Sequence, residues 1–196
     1  MPTPEITSTD ADDVRAAARE RYGVVPSFFE SMNPYTGAPA AVYMTADATL
    51  MQGVLTPREK QVILLTMARY HHSRYDAVVH AYMAQKVGLS LETIDALLGG
   101  TPPAEPRLKA LVEATLTSCE ERGWLDESTQ QALADRGVGR GALYEIFALI
   151  GMKTFSAFTE HMARPAIDGP LQAMADQLSN LPSKPDQIKR ERLFLG

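Results

Sequence analysis

Residues 55–98, LTPREKQVILLTMARYHHSRYDAVVHAYMAQKVGLSLETIDALL, decide how the rest of the chain reads. Thr56 is placed to cap a helix, Pro57 suits its first turn, and Glu59 stands three residues past the cap, the spacing of a capping box. Val62, Leu65, Met67 and Ala68 then supply an apolar stripe at helical spacing. Where a core helix would continue with Leu or Val, this one runs into Tyr70, His71, His72, Tyr75 and Asp76, with His80 one turn further. A second helix is expected to carry through His80, Met83 and Val87 to Gly88, a residue type suited to a left-handed helix end. Ser90 caps a short third helix, with Thr93 where a capping box would carry Glu.

Upstream, Asp10 is the expected cap of a helix reaching Arg21, with Asp12 and Asp13 at its positive end. Gly23 and Pro26 stop it. Phe28, Phe29 and Met32 read as a short buried turn before the Asn33-Pro34 break, and a helix over 38–51 tolerates Pro39 in its first turn. Downstream, Gly99-Gly100-Thr101-Pro102-Pro103 is too short for a domain linker and reads as a turn between two helical halves. Helices are expected over 105–122, over 127–136 behind an Asp126 cap, and over 141–163, ended by Pro165; a weaker one covers 170–178. No stretch has the alternation of a strand, so the fold class is all-α. The expected layout is a single domain: a flexible segment over 1–10, a helical domain over 11–178 with its core motif at 55–98, and a tail over 179–196.

The chain has 196 residues, 45% of them hydrophobic and 22% charged, which suits one globular core. A net charge of −5 gives no basic surplus to neutralise phosphates, which argues against a nucleic-acid partner. No apolar run approaches the ~20 residues that span a bilayer, so no membrane partner is expected. The N-terminus lacks the charged-then-apolar order of a secretion signal. Cys119 is the one cysteine and has no internal disulfide partner, which fits a reducing compartment. The cytoplasm is the expected location.

The order Leu55-Thr56-Pro57-Arg58-Glu59, apolar helix, polar cluster, His80, then Lys86-Val87-Gly88-Leu89-Ser90-Leu91-Glu92-Thr93-Ile94 resembles the carboxymuconolactone decarboxylase and AhpD-type alkylhydroperoxidase superfamily. Looser similarity extends to residues 22–28 and 150–161. The superfamily's peroxidase branch carries a Glu, then Cys-x-x-Cys-x-x-x-His with a further His inside the cysteine pair. Counting back from His80 puts Ser73 and Asp76 at the two cysteine positions, Gln61 at the Glu and Tyr75 at the internal His; His80 alone is retained. The resemblance implies an AhpD-like helical bundle, a homo-oligomer (trimer or hexamer), and a site built on Gln61, Ser73, Tyr75, Asp76 and His80.

Peroxide reduction in that branch needs a thiolate to attack oxygen and a second thiol to resolve the product. Serine and aspartate do neither, so CxxC peroxidase activity is not expected. The leading expectation is proton-transfer chemistry of decarboxylase or lactone type on a small organic acid or lactone, with no cofactor. His80 is the candidate general acid or base, Asp76 would fix its tautomer, and Tyr75 or Tyr70 would donate to an oxyanion. Tyr70 and His72 are candidate substrate-pocket residues. The alternatives are a non-catalytic small-molecule-binding or assembly protein on the same scaffold, and an alkylhydroperoxidase-type oxidoreductase by family membership. On an unbroken helix His72, Asp76 and His80 would share a face and form a candidate metal set, although eight residues of rise span ~12 Å, too far for one ion. The competing account is a paired carboxylate and imidazole in a helix bundle. Elsewhere, Cys119 reads as core and Trp124 as a packing anchor. His161 is expected to meet an inter-helix pocket or, as the commoner case, solvent. Lys153, amid Ile150, Met152 and Phe155, either projects its ammonium into a pocket for an acidic substrate or, as the commoner case, lays its stem on apolar surface while its head reaches water.

Overall fold

The computed structural model describes residues 8–185. Among them there are ten α-helices, one 3-10 turn and no strand: α1 Ala11–Tyr22, α2 Ser27–Glu30, α3 Ala38–Leu50, α4 Pro57–Tyr70, α5 Arg74–Lys86, α6 Leu91–Leu98, α7 Pro106–Glu120, α8 Glu127–Ala134, α9 Arg140–Ala163, the turn Gly169–Leu171 and α10 Gln172–Gln177. The expected entry segment lies mostly outside the described residues, as does the tail from 186 onward.

The start signals work as their chemistry requires. Thr56 and Glu59 form the reciprocal capping box of α4, Ser73 caps α5, Ser90 caps α6 and Asp126 caps α8. Gly88 takes the left-handed conformation (φ 88°) past the end of α5.

Helix α4 is the axis of the molecule. It packs against α5, α6, α7 and α9, and every residue from Lys60 to Ala68 is buried. A helix covered on all sides is apolar nearly all round, which accounts for Ile63 and Leu64 lying beside the stripe read from the sequence. The main core joins α4, α5, α6, α7 and α9 through residues such as Leu65, Val78, Ile94, Leu111 and Ile146. A second core gathers Val14, Phe28, Phe29, Met32, Met44 and Tyr75 where α1 to α3 meet the start of α5. No described helix is long and apolar enough to cross a membrane.

Three expectations need correction. The helix carrying the polar cluster is broken: His71 ends α4, His72 turns left-handed (φ 57°), and Ser73 starts α5. Trp124 anchors nothing, being 86% exposed in the turn that follows left-handed Arg122 and Gly123. Lys153 does not reach water; it is 0% exposed.

Candidate functional site

The site forms where α3, α4, α5 and α9 converge. α4 presents Gln61 and α5 presents Asp76 and His80, one turn apart on the same face. α9 presents Lys153 and Ser156 from its buried stripe, which also carries Ile146 and Leu149. Tyr43 comes from α3. Gln61, Asp76, His80, Lys153 and Ser156 are all buried.

The Lys153 ammonium is the hub. Its Nζ lies 2.8 Å from Asp76 Oδ1, 2.8 Å from His80 Nε2 and 3.0 Å from the Tyr43 hydroxyl. An ammonium has three donors and no acceptor, so all three protons are used and His80 Nε2 must accept. The imidazole proton then resides on Nδ1, which donates to Gln61 Oε1 at 3.1 Å. Gln61 thereby fixes the tautomer. Ser156 Oγ donates to the other Asp76 oxygen at 2.7 Å.

Charge follows from this geometry. Burial lowers the His80 pKa to about 3, and the Lys153 charge pushes the same way against the opposing pull of Asp76. Burial opposes ionisation of Asp76, but Lys153 and His80 outweigh it and hold the carboxyl below its ordinary range. Burial likewise works against the Lys153 charge, and Asp76 and Tyr43 reverse it, leaving the ammonium more basic than usual. Near neutrality the site therefore holds one positive charge, one negative charge and a neutral imidazole.

The remaining candidates lie elsewhere. Ser73 donates to Glu160 on α9, and Glu160 Oε1 also accepts from the Tyr75 amide at 2.9 Å, so this pair fixes the start of α5. Tyr75 turns away from His80: its hydroxyl donates to Asp168 Oδ2 at 2.5 Å and its ring stacks with Phe28. The tyrosine at the site is Tyr43. Tyr70 and His72 do share a cavity, but it is a surface recess of about 620 Å³ lined by neither Asp76 nor His80. The break at His72 also removes it from the metal set, and no group of three or more His, Cys, Asp or Glu among the described residues is arranged to hold a metal. Between Asp76 and His80 the position a cation would take is filled by the Lys153 ammonium.

Lys153, Tyr43, Ser156 and Glu160 were not part of the site expected from the sequence. For Lys153 there was a signal: it follows Ile146 and Leu149 by seven and four residues, which puts it on the inward stripe of the most apolar long helix.

The carboxymuconolactone decarboxylase family model matches residues 37–117, which include α3 to α6 and most of α7. No curated protein sequence matches. Among solved structures, the chain is similar to an uncharacterized peroxidase-related protein with an alkylhydroperoxidase AhpD core from Ralstonia eutropha JMP134. That likeness has TM-score 0.74 and 18% identity, over 93% of this chain and 97% of that one. A peroxidase-related protein from Silicibacter sp. TM1040 gives TM-score 0.68 and 13% identity over 89% and 91% of the two chains. A Cys-to-Ala variant of the debrominase Bmp8, solved with 2,3,4-tribromopyrrole, gives TM-score 0.63 and 16% identity over 84% and 88%. At these identities the likeness is one of fold.

Proposed function

We propose that the chain, whose residues 37–117 match the carboxymuconolactone decarboxylase family model and which has Ser73 and Asp76 where the resemblance would put two cysteines, is a non-redox relative performing proton-transfer chemistry on a small organic acid or lactone. The observation that carries this reading is the buried Lys153 ammonium held between Asp76 and His80. A buried ion pair gives no net stability over an apolar core of equal volume, so its presence favours a use beyond packing.

The chemistry fits an acidic substrate. Loss of CO₂ leaves an electron pair that moves onto a conjugated carbonyl oxygen, and a fixed ammonium stabilises that oxyanion. A substrate carboxylate competing with Asp76 for Lys153 would also release His80 Nε2, leaving a neutral imidazole whose lone pair can take a proton. Gln61 keeps the other nitrogen protonated throughout. Tyr43, already on the ammonium, is the hydroxyl nearest the developing charge.

A second reading has its own support: all three ammonium protons and both imidazole nitrogens are already engaged. In that case the centre is a structural lock and the chain a binding or assembly protein. Under either reading we propose a cytoplasmic homo-oligomer, trimer or hexamer. Exposed Tyr144, Phe158 and Met162 along α9 favour self-association.

Turnover of a panel of small carboxylic acids and lactones, carboxymuconolactone among them, separates the readings when wild type, His80→Ala and Lys153→Met are compared alongside their melting temperatures. Loss of CO₂ release or ring opening in a His80→Ala variant that remains folded supports catalysis. Absent turnover together with a large drop in melting temperature favours the lock. Cysteine-dependent reduction of an organic hydroperoxide would overturn both.

A further inference from the structure

We infer that the outer face of α9 is a two-fold interface with a second copy of this chain, centred on Gly151. Every exposed residue of α9 from Gly141 to Phe158 is apolar: Gly141, Tyr144, Ala148, Gly151 and Phe158. The charged residues of that span do not face outward. Glu145 is half-buried and turned onto the Val54 and Leu55 amides, and Lys153 is interior. Met162 extends the stripe by another turn, to a length of roughly 30 Å. On a chain whose net charge is −5, so long an uncharged helix face marks a surface that is covered in use.

The order of sizes along the stripe favours the same helix as its cover. Tyr144 and Phe158 each stand seven residues from Gly151, so large, small, large reads alike in both directions. An antiparallel copy of α9 would set Tyr144 against the second copy's Phe158 at both ends and glycine against glycine between them. Packing within one chain does not call for glycine there: a Cβ added at Gly151 would meet nothing within 4 Å, and glycine is a poor helix former. Close approach of a second backbone does call for it. A recess of about 320 Å³ beside Tyr144, with Leu125, Arg140, Leu143 and Phe147 in its wall, fits the same arrangement. At about 100° per residue, the α9 part of that wall lies on the flank of the helix that carries Phe158. A two-fold axis brings like flanks together, so the second copy's Phe158 arrives at this recess. Phe158 is held ready by an edge contact with the His71 ring, centroids 6.0 Å apart. Tyr144, Phe158 and Met162 are each more than half exposed, and on two copies they offer on the order of 800 Å² for burial. The recess walls and the small residues between bring this to the ~1,000 Å² of a specific interface.

This interface rests on the proposed homo-oligomer, to which it adds a symmetry and a set of residues; it does not depend on what the Lys153 centre does. A trimer has no two-fold axis, whereas a hexamer made of two trimers has, so an even-numbered assembly is expected. Sedimentation of the full chain tests this, together with Gly151→Cys and Met162→Cys in a Cys119→Ser background under mild oxidation. Gly151→Cys should give a disulfide-linked dimer, because residue 151 of the two copies meets at the axis. Met162→Cys, about 33 Å along the helix from its counterpart, should not. Gly151→Arg, whose side chain starts in open space within one copy, should keep its helical content and weaken association about tenfold or more. A wild type that stays monomeric would overturn the homo-oligomer and the two-fold interface together. A self-associating wild type overturns the interface alone if it forms only trimers, if Gly151→Cys fails to cross-link, or if Gly151→Arg associates as tightly as wild type.

Discussion

Lys153 Nζ and Asp76 Oδ1 lie 2.8 Å apart, and both side chains are almost sealed from solvent. At that depth the two charges depend on each other: removing either leaves its partner buried and unpaired. Lys153→Met and Asp76→Asn should each destabilise the fold by about 3–5 kcal/mol, whereas the Lys153→Met/Asp76→Leu double variant should lose far less than the sum. Urea denaturation of the variants measures this. A loss below about 1 kcal/mol in either single variant would mean that the pair is hydrated or dispensable.

His80 makes stability depend on pH in a window set by its depressed pKa. In the unfolded chain an imidazole takes up its proton below about pH 6.5, while the folded one resists protonation down to about pH 3. The stabilisation from the neutral ring is therefore full above pH 6.5. It falls by about 1.4 kcal/mol per pH unit as acid is added through that window. His71, whose pKa is also lowered by burial, adds in the same direction. Asp76 loses its contribution only at still lower pH, as the carboxyl itself is protonated. Unfolding free energies between pH 7.5 and pH 5 should slope downward in wild type and much less in His80→Gln. Equal slopes in both proteins would refute a neutral, buried His80.

Cys119 should be a poor nucleophile. Burial, with Glu120 nearby, raises its thiol pKa to about 11, and its sulfur lies 3.5 Å from Met67 Sδ. Only the thiolate attacks, so alkylation at neutral pH should be far slower than for a free cysteine. Hydroperoxide consumption by wild type and Cys119→Ser should be indistinguishable.

The helices were legible because their signals are local. The Thr56–Glu59 box, Ser90, Asp126 and the left-handed Gly88 each act within one turn of chain, and all fall where the sequence puts them. Half of the site was legible too: Gln61, Asp76 and His80 meet as the motif implies. The other half comes from across the fold. Lys153 stands 77 residues from Asp76 and 110 from Tyr43, and no local pattern encodes those contacts. The break after His71 escaped because two histidines and a serine are compatible with a helix interior; what decides it is the Ser73 side chain capping α5 with Glu160 behind it. Trp124 misled for a simpler reason, since size alone favours burial and the turn through Gly123 carries it outward.

The two tyrosines on either side of Asp76 give the sharpest test of which groups belong to the chemistry. Tyr75 is next to Asp76 in sequence, yet its hydroxyl is spent on Asp168, and its ring belongs to the Phe28 cluster. Tyr43 is remote in sequence and sits on the Lys153 ammonium. Tyr75→Phe should cost about 0.5–1.5 kcal/mol of stability through one lost hydrogen bond, and loosen the segment around Asp168 to proteolysis, with kcat for any substrate unchanged. Tyr43→Phe keeps the ring packing but frees one ammonium proton in a buried place. It should lower kcat, or the affinity for an acidic ligand, at a similar cost in stability. Paired kinetic and denaturation measurements on the two variants read this directly. If Tyr75→Phe proves the one that impairs turnover, the site lies on the Asp168 side of α5 and the Lys153 centre is structural.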